Sequence, residues 1–268
     1  MAPRYFVLSV DKAFAVLESF NGEHPHLSAT EVGRISGLNK ATARRLLLTL
    51  SDLGYIDVLE SGRYRLSPKI LRLSRQYLDG LDIPGLALPI LQELTRNTGE
   101  ASNVAVADGK DVVYVARVAV PQRILSTNLD VGSRLPLHAT SLGKVLLFGM
   151  TSAERRLRLG PPPWPGFTSR TRITCEMLEQ DFRAIARSGV SVADRELDEG
   201  LCSMAAPIQD HTGRIVAAIN LSAHHLTMRA QKLSQTHRNA LLKAAQTISR
   251  SLGWPPLSKE EGNGKVSS

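Results

Sequence analysis

The stretch from Ser28 to Ile56, SATEVGRISGLNKATARRLLLTLSDLGYI, leaves the chain few conformational choices. Ser28 with Glu31 three residues on forms a capping box, which starts a short helix running through Ile35. Ser36-Gly37-Leu38 is a turn, and Asn39 caps a second helix over residues 40–53. At 100° per residue, Ala43, Leu46, Leu47, Leu50 and Leu53 fall on one arc, with Lys40, Ala41, Arg44, Arg45 and Ser51 on the rest. Upstream, the apolar residues from Val7 to Phe20 recur at helical spacing until Asn21-Gly22 ends the run. Helix, short helix, tight glycine turn and longer helix is the order of a helix-turn-helix.

Two short strands, residues 55–59 and 63–66, flank Glu60-Ser61-Gly62 and predict a hairpin directly after that motif, which makes it a winged helix-turn-helix. A recognition helix needs small or polar residues at its N-terminal end to approach base edges and long cations to reach phosphates. Asn39, Lys40, Ala41, Thr42, Arg44 and Arg45 supply these, with Ser28 at the start of the preceding helix. In the wing, Arg63 and Arg65 alternate with Tyr64 and Leu66, so both arginines are expected on the face away from the core. Residues 1–80 carry eleven Lys/Arg against eight Asp/Glu, a balance of +3. That charge is modest, so binding to double-stranded DNA is expected to depend on two copies meeting a palindromic operator and to weaken with salt.

After a helix over residues 69–77 and a boundary near Asp82-Ile83-Pro84-Gly85, the pattern changes to α+β. Strands are expected at 102–107, 111–118, 123–130, 189–194, 202–209 and 214–222, with helices at 86–96, 141–149, 152–159, 175–188 and 227–252. Four prolines in GPPPWPGFTSRTRIT make residues 160–174 a loop. The expected division is therefore 1–80 with the linker helix, 81–255, and a polar, disordered tail over 256–268.

The chain's +8 formal charge favours a polyanionic partner. Its two cysteines, Cys175 and Cys202, form no CxxC or Cys/His cluster and point to a reducing cytoplasm, with neither disulfide nor zinc. The apolar run Tyr5–Val10 is cut by Asp11 and Lys12, too short for a signal segment or membrane span. Ser203, Asp194 and His138 could be imagined as a hydrolytic triad, but no G-x-S-x-G, HExxH or P-loop places a base beside a nucleophile, so the chain is read as no enzyme. The adjacent His224-His225 diverge and His24-Pro-His26 has no acidic or thiol neighbours, so no metal or other cofactor is expected. Aromatic residues make up only 5%, which argues against an RNA-stacking platform.

The helix-turn-helix together with LSVDKAFAVLESF, RYRLSPKILRL, LPLHATSLGKVLLF and EGLCSMAAPIQDHTGRIVAAINLSAH resembles the IclR family of bacterial transcriptional regulators from Val7 to Leu252. The resemblance implies a GAF-like effector domain after the winged domain, assembly into homodimers or dimers of dimers, and ligand-dependent control of promoters. DVVYVARV, ATSLGKVLL and the REL-DEGL-CSMAAP run are similar to the branch controlling protocatechuate, p-hydroxybenzoate and β-ketoadipate catabolism. Branches that sense short keto or hydroxy acids share much of the pattern.

The same resemblance puts Ser141, Leu142 and Gly143 at a helix start that meets a ligand carboxylate. It implies effector contacts for Asp194, Ser203, Asn220 and Ser222, with Ser203 in a position that is often cysteine. Cys202, one residue earlier, is expected to point to the other side of its strand. An aromatic acid needs an apolar slot and partners for its carboxylate. Leu125, Leu129, Leu142, Val145 and Leu146 are candidates for the slot, and Arg123 or Arg117 for the cation. His138 either meets a ring hydroxyl or satisfies a core carbonyl.

Overall fold

The computed structural model describes residue 3 and residues 5–73, 83–120, 129–224 and 235–254. Its contacts divide the chain into two units, residues 1–80 and 81–268.

The first unit contains α1 (Leu8–Leu17), α2 (Ala29–Ser36), α3 (Lys40–Asp52), β1 (Ile56–Val58) and β2 (Tyr64–Leu66). Local chemistry sets its boundaries. Ser28 accepts from Glu31 N while Glu31 reaches back to Ser28 N, closing the capping box. Gly37 ends α2 at φ 71°, a left-handed conformation in which a side chain is strained. Asn39 accepts from Thr42 N at 2.8 Å to start α3. Val16, Val32, Ala43, Leu47, Leu50, Ile56 and Tyr64 form the core that fixes α3 against α1 and α2. Residues 70–73 begin a further helix; the rest of the expected linker helix lies outside the described residues.

The second unit is a six-stranded antiparallel sheet, built from β3 (Ala101–Asp108), β4 (Asp111–Val118), β5 (Arg134–Pro136), β6 (Ser191–Asp194), β7 (Leu201–Gln209) and β8 (Ile215–His224). The strand order is β5-β4-β3-β8-β7-β6. Two helices, α4 (Ile83–Thr98) and α8 (Gln235–Ser251), pack on one another and on the sheet. On the opposite face lie α5 (Ser141–Phe148) and α7 (Cys175–Ser188), with α6 (Ser152–Leu159) between them in sequence. Leu142, Val145, Leu146, Leu178, Phe182 and Ile185 pack there over the small residues Ala105, Ala205 and Ala218 of the sheet.

The expected strand over 123–130 falls largely on residues 121–128, outside those described, and Leu129 and Asp130 are not in a strand. The edge strand instead is β5, three residues that pair with Asp111, Val112 and Val113. The tail and the first part of the expected closing helix also lie outside the described residues. No helix among the described residues is long and apolar enough to cross a membrane.

Candidate nucleic-acid interface and candidate ligand site

In the first unit, burying Ala43, Leu47 and Leu50 turns the opposite side of α3 outward. Lys40, Ala41, Arg44 and Arg45 are exposed, and among the described residues none of the three cations has a carboxylate partner. Leu48, which the wheel left unremarked, is 40% exposed one turn beyond Arg44 on the same stripe. Asn39 is exposed with its amide oxygen committed to the cap, and Thr42 is half-buried.

The wing differs from expectation. Arg63 is not free: its Nη2 donates to His26 O at 2.7 Å and pairs with Glu31 at 3.1 Å. Arg65 pairs with Asp57, its cross-strand neighbour, at 3.0 Å. Both sit beside acidic groups that neutralise them locally, which the alternation of β2 could not reveal. The Ser28 hydroxyl is likewise consumed, accepting from Glu31 N and donating to the Glu31 carboxylate at 2.8 Å. Two cap bonds and the wing arginine hold the Glu31 carboxyl below its usual range, the backbone bond to Ser28 contributing most. Lys69 donates to Leu53 O at 2.8 Å and lies over the Tyr55 ring, so a cation closes the C-terminal end of α3.

In the second unit, strand register collects polar side chains on the sheet face that α5 covers. Ser203 pairs with Ser222, Ser222 with Ala101, and Asn220 with Asn103, so these residues share one side. Asn103 Nδ2 donates to Asn220 Oδ1 at 2.8 Å and to Ser222 Oγ at 3.2 Å, while its own Oδ1 accepts from Arg117 Nη1 at 2.9 Å. Ser141, first residue of α5, donates to Ser203 Oγ at 2.7 Å. Asn103, Ser141, Ser203, Asn220 and Ser222 are all buried, and Arg117 is half-buried. The Asn220, Ser222 and Ser203 oxygens are thus engaged as acceptors, so what these groups have left to offer is N–H and O–H. The result is a donor-rich cluster beside a guanidinium, suited to an anionic oxygen.

The structure thus brings Ser141, Ser203, Asn220 and Ser222 together on one side of the sheet. Asn103 was missed, although an asparagine inside the apolar run of β3 needs partners there and so carried a signal.

Four further residues with an expected ligand role have other surroundings in the structure. Asp194 is in register with Cys202, accepts from its Sγ at 2.9 Å and pairs with Arg170 at 2.6 Å, all on the side away from Ser203. The thiol bond, followed by Arg195 and Arg170, keeps the Asp194 carboxyl low, while burial pushes the Cys202 thiol up to about 12. Cys202 therefore faces away from the cluster, as alternation requires. His138 meets Pro165 O at 2.9 Å between the Trp164 and Phe167 rings, the core-carbonyl role, and burial lowers its pKa. Leu142 is 1% exposed within the apolar core. Gly143 N donates to Thr140 Oγ1 at 3.1 Å and so is not available to an anion. Arg123 and Leu125 lie outside the described residues.

A buried charge cluster beneath α5 was also missed. Lys144, wholly buried, pairs with Glu196 at 2.5 Å and Asp181 at 2.8 Å, and Arg172 pairs with Asp181 at 3.1 Å. Among the described residues no group of three or more His, Cys, Asp or Glu gathers to hold a metal.

Comparison with known proteins places these two units. Residues 9–59 match the IclR helix-turn-helix domain, and residues 75–250 match the C-terminal domain of bacterial transcriptional regulators of the IclR type. The chain belongs to the IclR family. This IclR-family chain is 35% identical over 248 residues to the Pca regulon regulatory protein of Pseudomonas putida, covering 92% of the chain and 84% of that protein. It is also 35% identical over 231 residues to the Pca operon regulatory protein of Acinetobacter baylyi, covering 85% and 82%. A crystal structure of an IclR homolog from Microbacterium hydrocarbonoxydans complexed with 4-hydroxybenzoate shares the fold, with TM-score 0.81 at 24% identity over 91% of this chain and 98% of that one. The chain is accordingly a DNA-binding transcriptional regulator, and the two relatives from Pseudomonas putida and Acinetobacter baylyi are regulatory proteins.

Proposed function

We propose that this IclR-family regulator senses an aromatic carboxylic acid on the α5-covered face of its sheet and reads operator DNA with the exposed side of α3. The observation that carries the first half is the Arg117–Asn103–Asn220–Ser222 chain beside Ser141–Ser203, buried donors that a carboxylate or ring hydroxyl would satisfy. Relatives that control Pca genes, and a homolog that binds 4-hydroxybenzoate, favour an aromatic acid over a short keto acid.

For the second half, the α3 cations, which have no carboxylate partner among the described residues, support DNA contact more than the paired wing arginines do. Arg44→Ala is expected to weaken operator binding by about 1–3 kcal/mol if it reads a guanine, and to lower all DNA binding alike if it meets phosphate. Fluorescence anisotropy with operator and scrambled duplexes checks this; unchanged binding to both removes Arg44 from the interface. Self-association is supported by α1 and the residues before it. Tyr5, Val7, Leu8, Val10 and Phe14 are each more than half exposed, an apolar surface of the kind that marks an interface between copies.

Isothermal titration of the full chain with 4-hydroxybenzoate and protocatechuate tests the ligand site. Wild type is expected to bind at least one of them, and Asn220→Ala with Ser222→Ala to lose that binding while retaining operator affinity. Binding that survives the double substitution places the acid elsewhere.

A further inference from the structure

A cavity of about 510 Å³ lies between α6, α7 and the proline-rich loop, and none of the sheet-face cluster lines it. Its volume is within the roughly 300–1,000 Å³ of small-molecule sites. Leu159, Trp164, Leu178 and Phe182 form apolar walls. Arg155 supplies the polar end: its guanidinium stands 4.6 Å over the Phe182 ring and its Nη1 pairs with Glu179 at 3.1 Å. The Arg155 Nε is buried and has no acceptor among the described residues. Arg156 also lines the cavity, so among its lining residues two arginines stand against the single carboxylate of Glu179.

These features select an occupant. A wholly apolar molecule leaves the cationic end of the cavity unmatched, and a cation meets an excess of positive charge. An aromatic anion satisfies both ends, its ring against Trp164 and Phe182 and its charge on the arginine. We propose that this cavity is a second small-molecule site, separate from the sheet-face cluster, that takes an aromatic carboxylate with Arg155 as its cationic partner.

The test uses 2-naphthoate on the full chain carrying Asn220→Ala and Ser222→Ala, which removes the sheet-face donors. Calorimetry is expected to retain one binding event. Adding Arg155→Met is expected to weaken it about tenfold, the worth of a charge-assisted bond. Cys175 is exposed on the rim, so Cys175→Trp fills the cavity from its open side and is expected to abolish binding with the melting temperature unchanged. On the unsubstituted chain, 2-naphthoate is expected to slow capture of Cys175 by N-ethylmaleimide, with the buried Cys202 unreactive. The proposal is overturned if the Asn220/Ser222 background binds no 2-naphthoate, or if Arg155→Met and Cys175→Trp both bind as that background does. Unchanged Cys175 reactivity at saturating 2-naphthoate overturns it as well.

Discussion

Replacing Lys144 by methionine is expected to cost the second unit about 3–5 kcal/mol, the range for removing one partner of a buried ion pair. The methylene stem and its packing survive the change, so the loss isolates the charge. Without the ammonium, Arg172 is the one cation left to Glu196 and Asp181 among the described residues, 4.0 Å from Glu196 but 3.1 Å from Asp181. Glu196 is 4% exposed in its side chain, and its Oε2 already lacks a hydrogen bond. Burial raises the Glu196 carboxyl above its usual range, against the pull of Lys144. A carboxyl raised in the folded state adds stability that is fully present below its unfolded pKa and is lost as pH rises through the folded one. The Lys144→Met deficit should therefore be larger at pH 8 than at pH 5, and Glu196→Gln in the same chain should recover part of it. Urea unfolding across that pH range, followed by tryptophan fluorescence, reads both effects. A deficit below about 1 kcal/mol at pH 8 would mean that the cluster is not dry.

Gly143→Ala should be nearly as damaging, by about 3 kcal/mol, at the upper end of what overpacking costs. An added Cβ would stand 2.1 Å from Leu137 O and 2.4 Å from Leu137 Cα, and both obstacles are backbone. The loop that carries His138 into α5 would have to move away, drawing Ser141 from Ser203 with it. Gly85→Ala in α4 is the control, because nothing lies within 4 Å of its added carbon. That change is expected to be neutral or to stabilise by about 0.5–1 kcal/mol. Equal melting temperatures for the two variants would show that the Leu137–Gly143 contact is looser than described.

What the sequence disclosed follows how local each determinant is. The α2–turn–α3 unit was legible because Ser28 with Glu31, Gly37 and Asn39 act within three or four residues of themselves. The β3–β4 hairpin was legible through Asp108-Gly109-Lys110 for the same reason. Sites assembled across the sheet were less so. Asn103 meets Asn220 across 117 positions, a pairing that only the strand register shows. Asp194 was misplaced because its partner in register is Cys202 rather than Ser203, and one position along a strand reverses the face. Arg63 and Arg65 alternate as expected, yet Glu31 and Asp57 claim them from other elements. Lys144 escaped notice because a periodic pattern assigns lysine to solvent, whereas here it is the largest fully buried side chain among the described residues.

If, as we propose, a ligand on the sheet face governs how α3 meets DNA, the two binding events are linked and each shifts the affinity of the other. The most direct measurement is operator titration by fluorescence anisotropy at fixed salt, with and without saturating aromatic acid identified by calorimetry. The acid is expected to shift operator affinity severalfold in the wild type and to leave the Asn220→Ala, Ser222→Ala chain unmoved. Identical operator curves with and without a bound acid in the wild type would contradict it.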